Sequence, residues 1–222
     1  MTIDTIEPTE ARILGVLIEK AMTTPENYPL SLNAAVSGAN QKSNRHPVLA
    51  VEDDEALEAL EVLAEKRLAK RVFPGHSRVE KFSHTAGGRL GLNSACLAVL
   101  AELLLRGPQT LGELRTRARR MAPLDSLEQV QNAIEQLSEN RLCKRVAPEP
   151  GGRAERYAQL LAPASHPIDE LPPPPTRASR PATTAAPAAA TAPSATSELE
   201  ERVALLERKM RDLERQLGIG TD

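Results

Sequence analysis

The chain has 222 residues, with 28 Lys and Arg against 30 Asp and Glu, a formal net charge of −2, 41% hydrophobic residues and 2% aromatic residues. Charges so nearly balanced exclude a strongly basic chain, and so few aromatics mean cores built from Leu, Val, Ile and Ala. The longest apolar run, 97–105, is broken by Glu102, and residues 1–12 have no basic-then-apolar leader, so neither a membrane span nor secretion is expected and the cytoplasm is the expected compartment.

The first predicted helix carries Ile13, Leu14, Leu17 and Ile18 at helical spacing. A loop with Pro25 follows, then a short helix opened by Ser31, a hydroxyl able to cap it. A third, amphipathic helix is buried through Ala56, Leu60 and Leu63, and runs into two short strands around a turn holding Gly75 and Arg78. The same order then recurs. Val99, Leu100, Leu103 and Leu104 mark a helix, Pro108 a loop, Thr110 a cap, Val130, Ile134 and Leu137 a third helix, and Gly151 and Arg153 a turn between strands. Residues 59–72 and 133–146 are identical at nine of fourteen positions. One small module is therefore written twice.

Three helices followed by a hairpin is the order of a winged helix, an elaborated helix-turn-helix. The predicted fold class is mainly α with small β-hairpins (α+β): one winged-helix domain over 1–92 and a second over 93–161. Units of about 80 residues are near the lower end of what folds on its own core, so packing between the copies is expected to contribute. The connector over 85–93 carries Leu90 and Leu92 and is expected to dock.

Residues 162–196 hold nine prolines in thirty-five positions, with Ala, Ser and Thr between them, the composition of a disordered linker. Over 197–217 a capping box (Ser197, Glu200) opens a helix whose Leu199, Val203, Leu206, Met210, Leu213 and Leu217 alternate at steps of four and three, the seam of a coiled coil. Arg202 and Lys209 would meet Glu207 and Glu214 across a parallel pair, so a parallel homodimer is expected. A trimer, or a helix folded back on its own domains, stays open.

Cys96 and Cys143 lack metal-ligand spacing, and His46, His76, His84 and His166 form no pattern with them, so no metal and no cofactor is expected. No phosphate-cradling Gly loop, nucleophile elbow or HExxH string occurs, and the chain is read as a non-enzyme.

Nucleic acid is the first partner to weigh. Residues 1–92 hold eleven bases against thirteen acids, and 93–161 ten against eight. The third helix of the first copy turns Asp54, Glu55, Glu58, Glu61 and Glu65 outward, where phosphates would be repelled. That of the second copy offers Gln129, Gln131, Asn132 and Gln136, amides that can pair with adenine, with Glu128 and Glu135 standing among them. Arg115, Arg117, Arg119 and Arg120 on the preceding helix could clamp a backbone, or could be a solvated basic face. The wings add Arg78 and Lys81, then Arg153 and Arg156. The loop over 40–46 concentrates amides with Lys42 and Arg45, as a docking surface or as a cap for its own helices.

The strings LIEKA at 17–21, TTPENYPLSLNA at 23–34, NQKSNR at 40–45 and LLRGPQT at 104–110 resemble the bacterial YceH family over about residues 8–161. The resemblance implies a pair of winged-helix domains and assigns no biochemical role. Two functional expectations follow from the residues. One is a regulator that binds double-stranded DNA through its second domain and dimerises through its tail. The other is an interaction scaffold that offers a basic protein partner the acidic third helix and the 40–46 loop.

Overall fold

The structure, a computed structural model, describes residues 5–73, 79–148 and 153–166, all within one compact unit spanning Met1–Pro174. Among these residues it is mixed α and β, with seven helices and two small antiparallel sheets. Of the linker expected over 162–196 only 162–166 are described; its remainder and the coiled-coil expectation, with Leu199, Val203, Leu206, Met210, Leu213 and Leu217, fall outside the described residues. So does Arg78.

The first copy runs α1 (Pro8–Thr23), α2 (Leu32–Ala39), α3 (Asp53–Glu65), β1 (Ala69–Val72) and β2 (Lys81–His84). A short helix, α4 (Ala86–Leu90), fills the connector and buries Leu90. The second copy runs α5 (Ser94–Arg106), β3 (Gln109–Thr110), α6 (Leu111–Ala118), α7 (Leu127–Glu139), β4 (Cys143–Val146) and β5 (Arg156–Gln159). The expected caps form: Ser31 Oγ accepts from Ala34 N, and Thr110 exchanges a capping box with Glu113.

The hairpins pair as the repeat predicts. Ala69 to Val72 lie opposite His84 to Lys81, and Cys143 to Val146 lie opposite Gln159 to Arg156. The sequence pattern does not mark a third partner present in both copies. β3 joins β5, giving the order β3-β5-β4, and at the equivalent place Leu30 exchanges backbone hydrogen bonds of 3.0 and 2.7 Å with Phe82. Both third helices end in the same way. Leu68 N donates to Leu63 O and Leu142 N to Leu137 O, each over 2.8 Å, with Arg67 and Arg141 in the left-handed region at φ 59° and 57°.

Helix α1 is buried without a break from Glu10 to Glu19 and α5 from Cys96 to Leu105, so both are enclosed on all sides. They pack against each other. A Cβ added at Gly15 would lie 2.9 Å from Leu105 Cδ2, so only hydrogen at this position lets the two helices approach so closely. Ile13, Leu14, Leu17 and Ile18 from α1 share one continuous core with Val99, Leu100, Leu103 and Leu104 from α5. The copies are two halves of one core. The start of the first copy also meets the end of the second, since Ile6 N donates to Leu161 O over 2.8 Å. Order continues past 161: Ala162 is fully buried, Pro163–Ser165 forms a 3-10 turn, and the His166 ring nitrogen Nε2 stands 2.7 Å from His46 O.

Candidate nucleic-acid interface

The residues expected to bind phosphate fall into two groups, those the fold uses internally and those it leaves on the surface. Arg45 belongs to the first group. It is 5% exposed and places Nη2 2.5 Å from Glu19 Oε2, with Nε on Gly38 O and a further bond to Gln41. Arg120 crosses from the other half to reach Glu19 Oε1 at 2.6 Å and Glu102 Oε1 at 2.8 Å. Arg106 lies 3.4 Å from Glu102 and also bonds the side chain of Asn44. Burial works to raise the Glu19 carboxyl, but hydrogen bonds and charge from Arg45 and Arg120 outweigh it and hold that group below the ordinary carboxylate value. Arg12, buried nearby with bonds to Ala39 O and Pro47 O, is pushed down to about 10 by burial and by the charge of Arg45.

The 40–46 loop is therefore a staple between the halves. Asn40 exchanges two 2.8 Å bonds with the backbone of Val51, closing the loop, and His46 N donates to Leu105 O at the end of α5. Lys42 and Ser43 remain exposed, whereas Arg45 is inside. Glu19, Glu102, Arg106 and Asn44, which complete this network, carry one signal in the sequence. Glu19 directly follows the apolar stretch 13–18, and Glu102 breaks the longest apolar run.

On the second half, Arg117 is held by Gln109 Oε1 at 2.6 Å and Glu113 at 3.2 Å, and Arg156 by Pro108 O at 2.5 Å. Arg115 in α6 and Arg119, which caps the C-terminus of that helix one turn on, are exposed, and no carboxylate among the described residues lies within ion-pair distance of either. Arg153 is exposed just before β5. Arg141 and Lys144, which the sequence pattern does not mark, add exposed positive charge at the start of the same hairpin.

Along α7 the amides divide in the same way. Gln129 Oε1 accepts from Asp125 N and Ser126 N, closing a capping box, and Gln131 bonds Glu135. Gln136 Oε1 accepts from Asn93 and from the Cys96 thiol. Asn132 is exposed and lines, with Asn93, Gln129 and Gln136, a hollow of about 200 Å³. Cys96 and Cys143 are buried, and burial raises both thiols. The first half offers a different surface. Asp54, Glu55, Glu58, Glu61 and Glu65 are all exposed on α3, and of these Glu61 is paired with Arg71.

Among the described residues no helix is long and apolar enough to cross a membrane. A family model described as "Protein of unknown function, DUF480" matches residues 6–160. A UPF0502 protein of Geotalea daltonii is 48% identical over 176 residues, covering 78% of this chain and 80% of that relative. One from Pelobacter propionicus is 52% identical over 155 residues, covering 69% of this chain and 70% of the relative. One from Shewanella piezotolerans is 40% identical over 215 residues and 92% of each chain, so part of that similarity lies beyond the described residues. The family match opens at Ile6 and closes beside Leu161, the pair whose backbone hydrogen bond ties the start of the first copy to the end of the second, and the chain belongs to the DUF480 family.

Proposed function

We propose that this chain is a non-enzymatic, DNA-binding protein made of two fused winged helices, with the second half as the reading head. The YceH resemblance and the helix-helix-helix-hairpin order in both halves support the winged-helix reading, as does the extended segment that pairs with the last strand of each. The observation that carries the DNA reading is the contrast between the two third helices. α3 shows solvent six carboxylates (Asp53, Asp54, Glu55, Glu58, Glu61 and Glu65) and no amide, while α7 shows three (Glu128, Glu135 and Glu139) with Asn132 and Gln136 among them, beside Arg115 and Arg119 at the end of α6, which have no ion-pair partner among the described residues. Phosphates would be held by Arg115, Arg119 and the wing residue Arg153, and base edges met by the α7 amides. Arg45, Arg117 and Arg120 act within the fold. The coiled-coil tail would join two chains in parallel and raise the effective concentration of the second reading head.

Fluorescence anisotropy of the full chain with a short random duplex at low and moderate salt tests this. Affinity should fall steeply with salt, and Arg115→Ala with Arg119→Ala should lower it about tenfold or more while flattening the salt slope by about two. Binding absent at low salt, or unmoved by the pair, would refute the reading. The acidic face of α3 favours a second reading, a basic protein partner docking on the first half.

A further inference from the structure

The exposed amides of α7 differ in what they have left to offer a base. Gln129, Asn132 and Gln136 stand three and four residues apart, on one face of the helix. An amide pairs with both groups of an adenine edge only when its oxygen is able to accept and its nitrogen to donate. Which end of each amide is the oxygen is fixed by backbone N–H groups, which only donate. Asp125 N at 2.8 Å and Ser126 N at 3.0 Å both meet one end of Gln129, so that end is Oε1 and both its lone pairs are taken. Cys96 N, at 2.9 Å, fixes one end of Asn93 as Oδ1, which makes the other end its NH2. That NH2 donates over 3.0 Å to Gln136, and the Cys96 sulfur lies 3.0 Å from the same atom, so the atom is Oε1 and it too is fully engaged. Gln129 and Gln136 keep only their NH2 groups, which bond nothing among the described residues. Asn132 bonds nothing among the described residues through either end of its amide. On the other side of Asn132, Glu128 and Glu135 offer acceptors, and half-buried Gln131 is drawn to Glu135 over 2.9 Å.

We propose that Asn132 is the adenine-reading residue of α7, and that Gln129 and Gln136 act as donors alone, selecting guanine through O6 and N7 or thymine through O4. The inference rests on the DNA reading above and narrows it. Interchangeable amides would favour runs of adenine. A helix with one two-sided amide between donors favours a single adenine beside guanine or thymine. Cytosine N4 is itself a donor, so it is disfavoured where either Gln approaches.

The test incubates the full chain at low salt with duplexes that carry a randomised central stretch, and sequences the bound pool. The native chain should enrich adenine about tenfold at one position and guanine or thymine about fivefold at neighbouring ones, the worth of a two-bond and a one-bond contact. Asn132→Ala, at an exposed position, should remove the adenine preference. Gln129→Glu keeps a capping acceptor at the third position of the helix, as Glu113 is on α6, and replaces the free NH2 with an oxygen. The preference at its position should then turn to cytosine, whose N4 donates. A purely structural role for Gln129 is preserved by Glu and would leave the base preference where it was. Binding without base preference, an adenine preference that survives Asn132→Ala, or a Gln129→Glu pool like the native one would overturn this proposal and leave the DNA reading standing. No binding by the native chain would remove both.

Discussion

Replacing Arg45 with Met is expected to destabilise the folded unit by about 3 kcal/mol, because it strands a buried carboxylate whose desolvation is no longer matched. Glu19 and Arg45 have side chains 1% and 0% exposed. Their pairing is supplemented by Arg120, which stays on Glu19 Oε1 and limits the loss. The pH dependence has a definite sign. Glu19 has its carboxyl lowered in the folded state, so its contribution is present above the unfolded carboxylate value of about 4.3 and is lost as pH falls through the lowered folded value. Urea midpoints of the native chain and Arg45→Met should therefore differ clearly at neutral pH and converge in acid. A neutral-pH difference below about 0.5 kcal/mol would mean the pair is not a stabilising feature of the fold.

Leu105→Ala should cost a further large amount, about 2–5 kcal/mol, since Leu105 is fully buried at the crossing of α1 and α5. Gly15 makes that crossing specific. Its missing Cβ would stand 2.9 Å from both Cγ and Cδ2 of Leu105 and 3.3 Å from Leu104 Cβ. Gly15→Ala alone should gain about 1 kcal/mol in helix propensity but lose about 1–3 to overpacking, a net loss. In the Leu105→Ala background the obstructing branch is gone, the propensity gain survives, and the added methyl fills part of the void. Gly15→Ala should then stabilise. A double-mutant cycle by chemical denaturation reads the coupling directly, and additive effects would show that the two positions do not meet.

Much of the fold was legible because it is governed by near neighbours. The recurrence of 59–72 in 133–146 fixed the third helices and their hairpins, and Ser31 and Thr110 fixed where the second helices begin, since a hydroxyl acts on the amide three residues on. What was not legible depends on distance along the chain. Arg45 reads as a surface base until Glu19, 26 positions earlier, is folded against it, and Arg120 until it meets the same carboxylate across 101 positions. The Leu30 bridge and β3 are too short to show an alternating pattern. α4 contains Gly87 and Gly88, which oppose a helix locally, and it forms where Ala86 and Leu90 gain burial in the core. Of the candidate interface, the acidic face of α3 was readable from spacing alone. The division of the α6 arginines into paired and exposed was not, because Gln109 and Glu113 had to be positioned first.

Hydrogen–deuterium exchange on the full chain, with and without saturating duplex at low salt, tests the reading head most directly. Slowed exchange in α6, α7 and the hairpin of the second half, with α3 unchanged, is the expected result. Protection centred on the acidic α3, or none in either half, would contradict it.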